Sequence, residues 1–315
     1  MVLPNVPVAS AMWVNCYIKN SYKVNMERRW RPIDAKNASP ALLPSPTPHR
    51  HSATARRIDP APPSNTTDPP TSHHPMAQPH TPSVFTDPAA VARYAEGPRR
   101  NVPGYDSLLR MSRILLAERV PTHGRVLVVG AGGGLELEDM ALAHQGWRFD
   151  GVDPSQPMLD LAAQRLQSAG MPGDRVALHH GYVQSAPAGP FDGATCLLTF
   201  HFVPREQRVP MLAEIRRRLK PGAPLVVAHL SVADGAGPGG EGGARERDLW
   251  LSRYAAFQVA SGVAPEHAAR ARDKVAEELA VLTPEEEEAI LREAGFSDVR
   301  MFYMGFAFIG WVACV

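Results

Sequence analysis

The run Gly130-Ala131-Gly132-Gly133-Gly134 is the place in this chain where chemistry is easiest to locate. Glycines let a backbone approach a ligand closely and adopt positive φ. A helix that begins just beyond them offers free N–H groups to an anion or a polar headgroup. The same run also serves as a plain tight turn. Asp153 lies 23 residues after Gly130. At the end of a second strand, its carboxylate can accept both hydroxyls of a ribose. Asp153-Pro154-Ser155 is equally a good helix start, in which the carboxylate would be a cap. The dinucleotide fingerprint GxGxxG requires glycine at position 135, where this chain has Leu135, so the pattern present is GxGxG. His201 follows a later apolar run. With an ordinary pKa near 6.5 it can act as general base toward a hydroxyl or amine, or simply wall a pocket. His179-His180 has no partner at metal-ligand spacing, so no metal is expected.

These residues need a scaffold, and the apolar pattern supplies one. The segment before the loop ends in an amphipathic helix, with Leu108, Met111 and Leu115 on one face and Leu109 and Leu116 flanking it. RVLVVGAGGG reads as a strand entering the loop. Four further strands, WRFDGVD, RVALHHG, FDGATCLLTF and APLVVAHLS, alternate with helix-length stretches. Such alternation implies a parallel sheet with both faces covered. The helix from Arg205 to Leu219 carries Pro210, which predicts a kink or a restart. Thr283, Pro284 and Glu286 spell a capping box that places the acidic run Glu285 to Glu288 at the positive end of a helix. Gly295 ends that helix. VRMFYMGF and AFIGWVACV then follow almost without spacer, which predicts an antiparallel hairpin at the sheet edge.

The rest of the chain is chemically quieter. Sixteen of the 31 prolines precede residue 90, and residues 1–80 are expected to be a disordered, proline-rich extension. Met76-Ala77-Gln78 would make a chain start, so residues 1–75 are expected to come from an overextended reading frame; the alternative is a proline-rich docking tail. The opening residues make a poor signal peptide, because Pro4, Asn5 and Pro7 interrupt them. No apolar run is long enough for a membrane span. A net charge of +1 gives no whole-chain attraction for nucleic acid. Cys16, Cys196 and Cys314 are too few and scattered for a disulfide framework, which suggests a reducing, cytoplasmic setting.

Four blocks resemble the class I S-adenosylmethionine-dependent methyltransferases. VLVVGAGGG is similar to their glycine motif, FDGVDPSQPMLDLA to the second motif, FDGATCLLTFHF to the fourth, and EIRRRLKPGAPLVVAHLS to the helix-loop-strand that follows. They stand in family order over about residues 90–315. The flanks RRNVPGYDSLL and LTPEEEEAILREAGFSDVRMFYMGFAFIGWVACV are similar to the carboxy-S-adenosylmethionine synthase and tRNA uridine-modification branch. That branch uses an arginine, in a helix before a Leu-Thr dipeptide, to hold an extra carboxylate. Arg270, Arg272 and Lys274 are nearby here.

The resemblance implies an α/β, Rossmann-like seven-stranded sheet, mostly parallel with a C-terminal antiparallel hairpin and helices on both faces. The domain would span residues 81–315, with a glycine-rich hinge and helical insertion over 233–280. The implied cofactor is S-adenosyl-L-methionine, contacted by Gly130, Ala131, Gly132, Gly134, Glu136, Asp153, Pro154, Met158, Tyr182 and Thr199. Two departures stand out. Val128 occupies the position where the family usually has an acid, and Glu136 is expected to take over the contact to the amino end of the methionine moiety. Gly181-Tyr182 replaces the usual aspartate near the adenine. Tyr94, Arg100, Tyr105, Phe200, Trp250 and Tyr254 are expected to form the lid and acceptor pocket. The expected activity is methyl transfer to a small-molecule or natural-product acceptor. The alternatives are an RNA-modifying or carboxy-S-adenosylmethionine synthase-like enzyme, and a non-catalytic nucleotide-binding module. A nicotinamide oxidoreductase is disfavoured by Leu135 and the hairpin.

Overall fold

A computed structural model describes residues 97–233 and 243–315. The expectations for residues 1–80, Met76 and Tyr94, and most of the glycine-rich stretch before the insertion, lie outside the described residues. Helices α1 (Gly97–Asn101) and α2 (Tyr105–Ala117) lead into β1 (Arg125–Val129). Then follow α3 (Leu135–Ala143), β2 (Arg148–Asp153), α4 (Gln156–Ser168), β3 (Val176–His180), β4 (Gly193–Leu197), α5 (Arg205–Arg217) and β5 (Pro224–Leu230). Helices α6 (Gly243–Ala260) and α7 (Pro265–Glu278) form the insertion, and α8 (Pro284–Glu293), β6 (Ser297–Gly305) and β7 (Phe308–Cys314) close the chain.

The seven strands form one sheet in the order β3-β2-β1-β4-β5-β7-β6. β1 to β5 pair in parallel, while β7 pairs antiparallel with both β5 and β6. The expected Rossmann-like sheet with its terminal hairpin is therefore the observed one. From β1 the order runs outward to β2 and β3 on one side and to β4 and β5 on the other. This reversal leaves a crevice between the carboxyl ends of β1 and β4, where ligands of open α/β sheets bind.

Successive residues of β1 divide between two cores, as the strand period requires. Val126 and Val128 pack with Leu108, Leu116, Leu137 and Leu159 on one face. Leu127 and Val129 pack with Leu212, Ile215, Ile290 and Trp311 on the other. In α2 the fully buried stripe is Leu108, Leu109, Ser112 and Leu116, while Met111 and Leu115 sit at its margin. Helix α5 runs unbroken through Pro210, which faces solvent on the exposed side of the helix. The Thr283–Glu286 capping box forms as the residues dictate.

Candidate functional site

The loop after β1 owes its shape to three glycines with left-handed φ, Gly130 (78°), Gly132 (49°) and Gly134 (80°). Two are also demanded by close packing. A methyl on Gly130 would lie 1.9 Å from Thr199 Oγ1, and one on Gly134 would lie 2.9 Å from Ala162 Cα of α4. The glycines thus bring the loop against the turn after β4 and seat α3 on α4.

Asp153 ends β2 beneath this loop and is buried. The Gly132 N–H donates to its Oδ2 at 2.9 Å and the Ser155 N–H to its Oδ1 at 2.9 Å. Burial raises the carboxyl's pKa against the opposing pull of these two N–H groups. The helix cap of α4 is Ser155, whose Oγ accepts from the Met158 N–H at 3.3 Å. Asp153 is therefore a brace for the loop and not the cap, and each of its oxygens keeps a second lone pair for a ligand hydroxyl. Arg165 of α4 adds a further brace that sequence reasoning missed. Its Nε donates to the Gly133 carbonyl at 3.0 Å and its guanidinium pairs with Glu138 at 3.1 Å.

The opposite wall of the crevice is the segment after β4. Leu198 adopts φ 57°, and its N–H donates to the Ala228 carbonyl at 2.6 Å. A non-glycine residue held in this region is concentrated at ligand sites. The Thr199 hydroxyl, half-buried, donates to the Leu197 carbonyl at 3.1 Å. Glu136, in the first turn of α3, is buried and stands beside Thr195 of β4. Pro154 and Tyr182 are half-buried on the adjoining rim, Ala131 is buried within the loop, and Met158 is almost fully enclosed below α4's first turn. Met158 thus supports the site from the interior.

Two expectations for the acceptor side are corrected. Phe200 points away from the crevice into the opposite core, where the Arg208 guanidinium lies 5.0 Å over its ring. His201 is buried, and its Nδ1 accepts the Leu230 N–H at 3.3 Å. Burial, with His229 and Arg208 adding to it, drives its pKa well below the usual value. A neutral ring accepting at Nδ1 carries its hydrogen on Nε2, so no ring nitrogen is left to take a proton from an acceptor. His201 does not fit a general base.

The insertion supplies a different wall. Tyr254 is buried against Phe308, with ring centroids 5.8 Å apart, and Phe308 in turn lies 6.5 Å from the His201 ring. Gln258 Nε2 donates to Tyr254 Oη and to Asn101 Oδ1, both at 2.9 Å, while its buried Oε1 has no partner. Asn101 and Gln258 were not legible as site residues, since they are 157 positions apart. Tyr105 is buried on the same side, and Arg100 is exposed on α1. Trp250 is half-buried under the Arg253 guanidinium at 4.4 Å, so its ring is occupied on one face.

Deeper on the second face lies a charged cluster that the sequence did not announce. Arg208 and Glu287, both almost completely buried, form an ion pair, and His229 Nε2 is 3.3 Å from the same carboxylate. Arg208 also donates to the carbonyls of Val203, at 3.1 Å, and Ala280. Among the described residues no group of three or more His, Cys, Asp or Glu is placed to hold a metal. No described helix is long and apolar enough to cross a membrane.

Residues 126–222, from β1 to the turn before β5, match the family described as a methyltransferase domain. Over these residues the chain carries a methyltransferase domain. Among curated relatives, the carboxy-S-adenosyl-L-methionine synthase of Pseudomonas paraeruginosa is 26% identical over 221 residues, covering 68% of this chain and 84% of that protein. The synthase of Chromohalobacter salexigens is 27% identical over 232 residues, covering 72% and 82%. A solved methyltransferase from Aquifex aeolicus aligns with TM-score 0.48 and 18% identity over 73% of this chain and 98% of its own. Haemonchus contortus phosphoethanolamine N-methyltransferase 2 aligns with TM-score 0.49 and 19% identity over 69% and 44%. The cofactor of this methyltransferase domain is S-adenosyl-L-methionine. The residues in the crevice fit it: an acid at the end of β2, a glycine loop of left-handed φ that packs closely against it, and a buried carboxyl with an unfilled oxygen.

Proposed function

We propose that this enzyme methylates a small-molecule acceptor bound between the glycine-loop crevice and the wall formed by α1 and α6. The observation that carries this reading is the enclosed polar cluster of Asn101, Tyr254 and Gln258, joined through Phe308 to the turn after β4. A lid of buried aromatics and amides suits a compact ligand; a nucleic acid would call for an open basic surface. S-adenosyl-L-methionine, when bound, supplies a methyl group already activated on a sulfonium. The chain's residues then have to orient and enclose. Asp153 holds the ribose hydroxyls, the backbone from Gly130 to Gly134 cradles the methionine end, Pro154 and Tyr182 flank the adenine, and Thr199 fixes the β4 side. The acceptor is aligned by the α1–α6 wall, with water excluded by Tyr105, Tyr254 and Phe308. No side-chain base is assigned to the step.

The relatives' carboxy-S-adenosylmethionine synthase chemistry is the second reading, favoured by sequence identity along most of their length. It needs a cation to hold an added carboxylate. Two of the three cations before Leu282-Thr283 are held in ion pairs. Arg272 is engaged with Asp248 and Asp273, Lys274 pairs with Glu278 at 3.6 Å, and Arg270 is exposed. This arrangement favours ordinary methyl transfer.

Calorimetric titration with S-adenosylmethionine tests the core of the proposal. Micromolar binding that Asp153→Ala abolishes is expected, while a folded protein that fails to bind refutes it. Mass spectrometry of the nucleosides bound to the purified enzyme separates the two chemistries, because a carboxylated sulfonium would identify the synthase. Transfer of labelled methyl to small-molecule rather than RNA fractions is expected.

A further inference from the structure

Two arginines one turn apart at the start of α5 meet two neighbouring acids at the start of α8. Arg205 pairs with Glu286 at the surface, where an ion pair adds little stability. Arg208 pairs with Glu287 out of contact with water. Burying both charges carries a desolvation penalty that their attraction roughly offsets, and apolar side chains of similar volume would fill the place at least as well. Stability alone therefore does not account for the buried pair.

The other contacts of Arg208 do. Its side chain reaches back over the first turn of α5, where Nε donates to the Val203 carbonyl at 3.1 Å. The guanidinium carbon lies 5.0 Å from the centre of the Phe200 ring, on which the His229 ring of β5 also packs, at 5.1 Å. Glu287 and the Ala280 carbonyl take up the remaining donors. A guanidinium holds its donors in one rigid plane, so these partners fix the direction of the group and with it the place of Phe200 and Val203.

Phe200 and Val203 bracket the short helical turn Phe200–Phe202, and Thr199 stands at its N-terminal end. Thr199 is the residue on which the glycine loop closes, since a methyl on Gly130 would lie 2.8 Å from its Cβ. The residue before it, Leu198, is held at φ 57°. A non-glycine residue persists there only where its surroundings over-determine it. β5 fastens one edge of the turn, through the Ala228 carbonyl and the Leu230 N–H. Arg208 fastens it from the second face of the sheet.

We propose that Arg208 is a positioning residue for the cofactor site. Acting through the Phe200 ring and the Val203 carbonyl, it holds the turn after β4 in the shape on which the glycine loop closes. The inference rests on the crevice being the S-adenosylmethionine site. Arg208 itself is 0% exposed and lines no part of the crevice. Without it the turn samples other shapes, and apparent affinity falls with the fraction of molecules in the competent one.

Holding the turn and holding the fold are separated by Arg208→Met/Glu287→Leu. This variant loses both charges together, so its thermal melt is expected close to that of wild type. Its affinity for S-adenosylhomocysteine, measured by calorimetric titration of the full chain, should nevertheless fall at least about tenfold. Amide hydrogen exchange should quicken at Phe202 and Val203, whose N–H groups donate to the Thr199 and Phe200 carbonyls at 3.0 Å, and stay as in wild type along β1. Phe200→Leu keeps the ion pair and removes the ring through which the guanidinium acts. It should weaken the same ligand at least about threefold, and it decides the matter if the double variant does not fold. Affinity within about twofold of wild type, in Phe200→Leu or in a folded double variant, overturns the proposal and leaves the cofactor site intact. Weakened binding with unchanged exchange in the turn overturns it too. A folded wild type that does not bind S-adenosylhomocysteine overturns the cofactor site itself.

Discussion

Replacing Arg208 by methionine should be among the most damaging single changes in the domain, although Arg208 contacts no predicted ligand. The guanidinium is 0% exposed and its Glu287 partner 1% exposed. Methionine keeps the aliphatic volume but leaves Glu287 charged, buried and facing only His229, and strips the Val203 and Ala280 carbonyls of their donor. Breaking a buried pair by removing one partner costs about 3–5 kcal/mol. For a domain of this size each kcal/mol moves the midpoint by roughly 2–4 °C, so a loss of about 6–20 °C is expected. Calorimetric and near-ultraviolet thermal melts at pH 7 would measure it. The double variant Arg208→Met/Glu287→Leu should recover most of the loss, since no uncompensated charge remains. Acid should reveal the same pair. Burial alone would raise the Glu287 carboxyl, but His229 and Arg208 outweigh it and hold its pKa below the ordinary value. Its contribution is therefore present above the unfolded-state glutamate pKa and is lost as pH falls through the lower folded value. The gap between wild type and Arg208→Met should shrink over that acidic window. A single variant melting within about 2 °C of wild type, or a double variant no better than the single, would refute the reasoning.

Three further outcomes can be checked directly. Gly130→Ala should abolish cofactor binding in titration and lower stability by at least about 1 kcal/mol, because the added methyl meets Thr199 and the φ is positive; binding within twofold of wild type would contradict the loop's tight fit. His201→Gln should leave the pH–rate profile unchanged and reduce kcat by less than about tenfold, whereas removing a true general base costs about 10²–10⁴-fold. Gln258→Leu should raise the KM of the acceptor, once it is known, by roughly tenfold with little change in cofactor affinity; an unchanged acceptor KM would remove the α1–α6 wall from the site.

Much of the frame was readable in the residues because its causes are local. The Gly130–Gly134 run dictated a turn, the periodicity of Leu108 to Leu116 a buried helix face, and Thr283-Pro284-Glu286 a capped helix start. Asp153 at the end of β2 followed from spacing alone. Reading from residue type failed where direction mattered. Phe200 and His201 were expected to open into the pocket, but the short helical turn after Leu198 sends Phe200 under Arg208 and turns His201 toward the Leu230 N–H. The acidic first turn of α8 explained Glu285 and Glu286 as partners of a helix dipole. It did not show that Glu287, on the inward side of the same turn, is a buried anion.

The sequence by itself determined the order of strands and helices, the glycine-rich loop and the terminal hairpin. Backbone preference and hydrophobic periodicity act within a few residues, and those ranges are written into the chain. Tertiary structure alone decided the burial of Glu136, the Arg208–Glu287 pair spanning 79 positions and the Asn101–Gln258 contact spanning 157. Each depends on how much water is excluded and which charges converge from separate elements, and desolvation and Coulomb energy are properties of the packed assembly rather than of any segment.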